Sequence, residues 1–520
     1  MTNAVPRVSV AAAVMATLLF AAPLGAQQAA GTTPTISPQG TTVDTYVVGQ
    51  ARPPDTGQTL LNMTLDDAMA LALENNLNLK VARMNPEGVD YQLQAARAAY
   101  MPRFTGTYSY TDATSTSNFT LDGVNQVNSL NQSFNGSFSQ ATPWYGGSLS
   151  VSFNNSRSAS DQITNRFNPS YSTSMRMNYT QPLLANRRID NTRNTLRTLQ
   201  ITREISDIQL LTTVENTMAL VRTAYWALRG AIEQIEIQRL SLSLAQRQFE
   251  DNKIRVEIGT MAPIETTTSE TQVANAEQAL LNAEIGWRTS ELVLKHLLAS
   301  GPGDEIYGNT INPVDLPVLE PPSVDLQAAI TRALAERTDL IQSRRSLDIT
   351  RLNLEVSQNA TLPTLNLTAG YNLQGTAGAY TDALSLVQGL DNPALTLSLN
   401  FTYPLGMRQA KANFARSQLQ LEQAEVQLQT QELNINTQVT NAGWAVENTY
   451  LQLGAASKSR EAAERNAEAE QVRFDNGLSD NYNVALALNS LTNARLTELS
   501  RLISYVNAVA EFERVQRVGG

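Results

Sequence analysis

The chain has 520 residues, a net charge of −10 at pH 7 and no cysteine. An acidic chain without a long run of Lys and Arg argues against nucleic-acid binding, because phosphate contacts need clustered positive charge. The absence of cysteine excludes disulfides, thiolate metal sites, a catalytic thiol and lipid attachment at an N-terminal cysteine.

The first 60 residues have the composition of a leader. Arg7 precedes an apolar run over 8–22 and a plausible cleavage site at 24–26, so residues 1–26 are predicted to be a secretory signal peptide. A membrane-anchoring helix is the alternative, although the run is short for a membrane span. Residues 27–60 are rich in Thr, Pro, Gln and Gly and are predicted to be a disordered leader.

A helical pattern starts near Met63 and runs towards Tyr100. Thr64 is a candidate N-cap, and two aspartates follow it in the first turn, where the helix dipole favours carboxylates. Pro86 and Gly88 interrupt the pattern, so we expect a break or kink at that point.

After Pro102 the apolar period changes to the two-residue period of a strand. The alternation occurs in four runs, at 104–110, 132–140, 148–153 and 171–179. One apolar and one polar face is what a strand between lipid and water requires. A soluble sandwich is the alternative interpretation of the strands alone.

The next stretch, 184–258, is predicted to be one long helix. Its apolar residues follow the alternating three- and four-residue spacing of a coiled-coil seam. At about 1.5 Å per residue such a helix is roughly 110 Å long. A turn with Gly259 follows, then a second helix over 264–299 and a proline-rich linker over 301–323.

The same order of predicted helices and strands then repeats. Landmarks such as Leu65 and Leu326 share an offset of 261, and Trp226 and Trp444 share an offset of 218. Matches at constant offset predict a tandem duplication, with repeats at 61–300 and 324–520. Their strand regions are placed at about 103–181 and 364–403, and the second long helix at 405–476. The two tryptophans are expected to pack between helices.

The helix lengths predict how each repeat is built. Two helices of about 35 residues, stacked end to end, match one long helix, so each repeat is expected to be a long helix beside two stacked short ones. A single chain has too few strands to avoid open edges in lipid and should oligomerise. The strand region of the first repeat is about twice as long as that of the second. Whether the extra residues are loops or an added strand pair is left open.

These features resemble the TolC-like outer membrane efflux protein family. The resemblance rests on the Leu-x-x-Ala-x-x-x-Ala-Leu starts at Leu65 and Leu326, on Gln-Pro-Leu and Tyr-Pro-Leu at the strand-to-helix junctions, and on turns ending in Gly259 and Gly477. It implies a mostly α fold with membrane β, in which coiled-coil helices form a periplasmic tunnel. It further implies a homotrimer whose strands share one transmembrane β-barrel, usually with four strands per protomer and twelve in all.

The resemblance also implies a functional site at the two turns. The predicted periplasmic gate comprises Asp480, Asn483, Glu265 and Phe474. The predicted adaptor-facing tips comprise Gly259, Thr260, Met261, Gly477, Leu478 and Ser479. The predicted helix-strand junctions are Pro102, Pro182, Pro363 and Pro404. Family members often carry aspartates six and nine residues after the second glycine, whereas this chain has Asn483 and Leu486. Glu265 is expected to bond across to the second turn.

The function implied is an outer-membrane exit duct of a tripartite efflux pump or a type I secretion system, extending into the periplasm. Its partners would be a periplasmic adaptor, an inner-membrane pump or secretion ATPase, and outer-membrane lipid. No catalytic motif occurs, so neither an enzyme nor a cofactor or metal is expected. A coiled-coil surface stalk or adhesin and a plain porin are the alternatives.

Overall fold

The computed structural model describes residues 51–55, 57–116, 126–162, 165–317, 319 and 321–516. The predicted signal peptide and residues 27–50 of the predicted leader lie outside the described residues. The helices are α1 (Leu65–Asn75), α2 (Leu77–Arg97), α3 (Asn191–Glu257), α4 (Ile264–Leu298), α5 (Leu326–Glu336), α6 (Thr338–Asn359), α7 (Tyr380–Gln388), α8 (Arg408–Asp475) and α9 (Asn481–Gln516). The strands are β1 (Thr59–Met63), β2 (Arg103–Thr116), β3 (Gln126–Ala141), β4 (Ser148–Ser160), β5 (Ser170–Pro182), β6 (Asn309–Pro313), β7 (Thr364–Ala377) and β8 (Pro393–Thr402).

The long helices and the stacked short helices form four rods that lie side by side. Rod 1 contains α1, α2 and α4, rod 2 is α3, rod 3 contains α5, α6 and α9, and rod 4 is α8; each rod contacts the next. In rod 1 the Asn76 amide donates to Leu297 O at 3.0 Å. In rod 3 the Arg332 guanidinium donates to the Gln516 side-chain oxygen at 3.2 Å. The predicted pairing of one long helix with two stacked short ones is therefore present in both repeats.

The helix breaks ten residues before Pro86, at Asn76, so the prediction of a break at Pro86 was wrong. Asn76 ends α1, and its side-chain oxygen accepts hydrogen bonds from Asn78 N and Leu79 N at the start of α2. Helix α2 continues through Pro86, which is buried. The second repeat breaks at the equivalent position, Arg337, between α5 and α6. In the first repeat a capping amide therefore marks the boundary, while Pro86 removes only one donor inside α2.

The ends of the long helices also differ slightly from the prediction. Helix α3 begins at Asn191 and not at 184, because Asp190 caps it by accepting from Arg193 N at 2.8 Å. Helix α8 begins at Arg408, after Gly406 and Met407, which both have positive φ. The short helix α1 begins where it was predicted to begin: Thr64 caps it, in a capping box with Asp67.

Six strands form one antiparallel sheet in the order β2-β3-β4-β5-β7-β8. The extra residues of the first repeat are therefore an added strand pair, and the four runs of alternation correspond to β2, β3, β4 and β5. Among the described residues, the first repeat supplies four strands to this sheet and the second repeat supplies two. The family resemblance implied four in all, so this protein departs from that pattern.

The sheet has one apolar and one polar face. Residues paired across an antiparallel ladder share a face, and one apolar row crosses all six strands: Phe104, Phe138, Val151, Met177, Tyr371 and Leu395. The next row lies on the opposite face and is Arg103, Ser139, Ser150, Asn178, Gly370 and Thr396.

Helix α7 packs against β5 and β7. A Cβ at Gly375 would lie 2.1 Å from Ala383 O, so only glycine fits there.

The proline-rich stretch 301–323 is not a plain linker, because it contains β6. Strand β6 pairs with β1 in parallel, and this small sheet packs in a core with Tyr225 and other residues of α3. The Tyr225 hydroxyl donates to Met63 O at 3.0 Å, and burial raises the pKa of that hydroxyl.

In the described ranges, no helix has the length and apolarity required to traverse a membrane.

Candidate functional site at the helix ends

The turn from α3 to α4 (258–263) and the turn from α8 to α9 (476–480), with the helix ends beside them, are called the tip. Both turns have the same backbone geometry. Gly259 and Gly477 adopt positive φ, +79° and +72°, and the next residues, Thr260 and Leu478, donate from N to Arg255 O and Arg473 O at 2.9 and 2.8 Å. This is the glycine-terminated end of a helix that satisfies its last carbonyls. The repeat is therefore preserved in the conformation of its turns.

A buried polar network centred on Asn481 joins three helix ends. The Asn481 side-chain oxygen accepts from Asn252 Nδ2 at 2.7 Å and from Gln248 Nε2 at 3.3 Å, both on α3. Its Nδ2 donates to Glu265 Oε2 at 3.1 Å and to Ser269 Oγ at 3.3 Å, both on α4.

Further hydrogen bonds connect the members of the network. Asn252 also donates to Ser269 Oγ at 2.6 Å and accepts from Gln248 at 3.2 Å, while Ser269 donates to Glu265 O at 2.8 Å. Asn252 and Ser269 are 0% exposed and Asn481 is 1% exposed. A buried amide left without its partner costs about 1–3 kcal/mol, so these residues hold the start of α9 against the α3–α4 hairpin.

A second contact joins the two hairpins through Arg255 near the end of α3. Its guanidinium forms an ion pair with Asp475 at 3.0 Å and lies 4.4 Å from the centre of the Phe474 ring. Phe474 is 3% exposed, whereas the ion pair is about one-third to one-half exposed. The ion pair itself is therefore worth less than about 1 kcal/mol, and the stacked ring supplies the packing.

The remaining gate residues have other surroundings. Asp480 is exposed and accepts from Asn483 N at 2.9 Å, so its carboxylate caps α9. Asn483 is exposed. Ser479 donates to Glu470 Oε1, and Glu470 occupies the position equivalent to Asn252 at the offset of 218. Each long helix therefore bonds to a serine from this position.

The structure places the other predicted residues as follows. Gly259, Thr260, Gly477 and Leu478 are exposed at the turns, and Met261 and Ser479 are partly exposed. The four junction prolines lie where helices meet strands: Pro102 precedes β2, Pro182 ends β5, Pro363 precedes β7 and Pro404 follows β8. Glu265 accepts its expected bond from Asn481, the first residue of α9, directly after the second turn.

Sequence reasoning missed Asn481 and its partners Asn252, Gln248 and Ser269, and it missed Arg255 as a bridge. One signal was present: Gln248 and Asn252 are four residues apart on a helix and so share a face. Two amides on a face that packs against other helices indicate a polar contact inside a coiled coil. Which residue completes that contact could not be read from local sequence.

Comparison of the sequence with protein families finds the outer membrane efflux protein family over residues 132–300 and 329–515. Comparison with curated proteins finds no match.

Solved structures of outer-membrane channels have a similar fold. The Campylobacter jejuni CmeC channel has 18% identity and a TM-score of 0.63, over 87% of this chain and 85% of that one. The channel OprN has 14% identity and a TM-score of 0.66, over 91% and 96%. The Vibrio cholerae protein VceC has 14% identity and a TM-score of 0.63, over 88% and 96%.

Proposed function

Because the chain belongs to the outer membrane efflux protein family, we propose that it works as a passive duct whose tip is its gate. The family is one of transport conduits in the outer membrane that extend into the periplasm, not one of enzymes. Three copies would share one barrel and one tunnel. A periplasmic adaptor would bind the exposed tip residues, and an inner-membrane pump or secretion ATPase would supply the energy. The repeats 61–300 and 324–520 would each supply one long helix to the tunnel.

The observation that supports the gate is the Asn481 network. Two helical hairpins end at the tip, and the network joins the start of α9 in one hairpin to both helices of the other. Opening a tunnel at this end requires the hairpins to separate, which breaks the contacts of Asn481 and the Arg255–Asp475 pair together. The predicted residues Glu265 and Phe474 belong to these contacts. Asp480 and Asn483 would instead act through their charge and polarity at the opening of the tunnel at the tip.

Single-channel conductance of the mature protein in planar bilayers tests the proposal. Asn481→Ala removes four hydrogen bonds, so we expect a larger or more frequently open conductance than in the wild type. Asn489→Ala is the matched control, because Asn489 is an exposed amide on the same helix. The double variant Asp480→Ala plus Asn483→Ala tests whether these two residues select ions at the tunnel opening, and loss of cation selectivity is expected.

The conductance results distinguish the gate assignment from the duct itself and from the two alternative functions. A conductance unchanged by Asn481→Ala and by Glu265→Ala would remove the gate assignment but keep the duct. A folded oligomer that never conducts would favour the stalk, and a wide wild-type conductance without closure would favour a plain porin.

A further inference from the structure

We infer that β8 of one copy pairs with β2 of the next, so that three copies close a barrel of six strands each, 18 in all. The added strand pair then belongs to the barrel wall and does not form a separate flap. This inference rests on the proposed trimer. The partner for both open edges is a second copy of this chain.

The added strands have the same two faces as the other strands of the sheet. On β2, Phe104, Tyr108 and Tyr110 point to the apolar face and are 75, 68 and 56% exposed. The residues between them on the polar face are Thr105, Thr107 and Ser109. A flap in water needs no apolar face, whereas a wall strand needs one towards lipid and one towards water.

The two edge strands of the sheet each need a partner. Among the described residues, β2 pairs with β3 alone and β8 with β7 alone, and every residue of β2 is exposed. Strand β8 carries Leu395, Leu397, Leu399 and Phe401 on its apolar face, all 60–80% exposed. An apolar edge strand with free N–H and C=O groups is not stable in lipid, so each edge must be paired.

The directions of the two edge strands allow them to pair with each other across two copies. Six antiparallel strands place β2 and β8 in opposite directions. The β8 edge of one copy can therefore form an antiparallel ladder with the β2 edge of the next and continue the alternation. Contacts of this head-to-tail kind close into rings when the rotation between copies permits.

Cysteine cross-linking tests the seam directly, because the chain has no cysteine of its own. Ser398→Cys on the polar face of β8 is combined with a second cysteine on the same face of β2, at Thr105, Thr107 or Ser109. The matched set places the second cysteine on β4, at Ser150, Ser152 or Asn154. Oxidation of the protein in membranes is followed by denaturing electrophoresis with and without reductant.

We expect reducible dimers and trimers from at least one β2 position and from no β4 position. Cross-links to β4 would mean that the added pair stands outside a barrel of four strands per copy, and the inference would be overturned. Absence of both kinds of cross-link in an oligomer that conducts would also overturn it. Failure of the proposed function would be seen separately, as a protein that forms no conducting oligomer with or without cysteines.

Discussion

Two tryptophans at equivalent positions of the repeats have different surroundings. Trp226 on α3 is 6% exposed and packs edge-on against Tyr225 with ring centres 5.5 Å apart. Trp444 on α8 is 53% exposed, so the expectation that both pack between helices was wrong for this chain taken by itself. Rod 2 has a neighbour on each side, whereas rod 4 lies at the end of the row. Position in the row, and not the repeated sequence, decides burial.

The largest expected effect separates the two tryptophans. Trp226→Ala should lower the free energy of unfolding by about 3–5 kcal/mol, because it leaves a cavity in a closed core. Trp444→Ala should change it by less than about 1 kcal/mol in a dissociated chain. Denaturant unfolding of each purified variant in detergent, followed by circular dichroism, measures both values.

The same two variants also test whether Trp444 becomes covered when copies of the chain assemble. If a second copy covers the open side of rod 4, Trp444→Ala should lower the temperature at which the oligomer dissociates on a gel. An equal loss of unfolding free energy from both variants in the dissociated chain would contradict the difference in burial.

A smaller difference is expected between a buried and an exposed ion pair. Arg229 and Glu233 in the first repeat are 2.7 Å apart and less than 10% exposed, and Arg229 also donates to Pro313 O at 2.9 Å. Glu233→Ala leaves a buried guanidinium without this partner and should cost about 3 kcal/mol.

The matched pair in the second repeat is Arg344 and Glu432, 3.5 Å apart and both more than one-third exposed. Glu432→Ala should cost less than about 0.5 kcal/mol. The same denaturant unfolding experiment compares them, and similar values for the two variants would show that the first pair is hydrated in solution.

The helix breaks provide the next comparison. Asn76→Ala removes two capping bonds and the bond to Leu297 O, so a loss of about 1–2 kcal/mol is expected. At the equivalent break Arg337 makes no side-chain cap bond, but it donates two hydrogen bonds to the Asp339 carboxylate and one to Gln438. Arg337→Ala should therefore cost about as much as Asn76→Ala. Melting temperatures of both variants, measured side by side, check this, and a loss confined to one of the two breaks would contradict it.

The smallest expected effect is a dependence on pH that only the second break has. Burial alone would raise the pKa of Asp339, but the hydrogen bonds and charge of Arg337 outweigh it and hold the pKa below its ordinary value of 3.8. The stabilisation is therefore complete above that value and is lost as the pH falls through the lower pKa of the folded state. Asp339→Asn should lower the melting temperature at pH 7, and the difference from the wild type should shrink as the pH falls below 3.8. The effect of Asn76→Ala should not change in this way, because an amide does not titrate.

Local patterns in the sequence determined the repeats, the long helices, the strand alternation and the Thr64 cap. These features depend on residues within a few positions of each other, so their period and capping chemistry are visible in the chain. The repeat also predicted turns with the same form at Gly259 and Gly477.

Only the tertiary structure decided the pairing of distant residues. It added the first-repeat strands to one sheet, moved the helix break to Asn76, exposed Trp444 and brought Asn481 against Asn252. Each of these outcomes depends on which partner lies opposite a side chain, often more than 200 residues away. A polar residue at a helix seam or an aromatic residue on a helix face has the same local sequence whether that partner is present or absent.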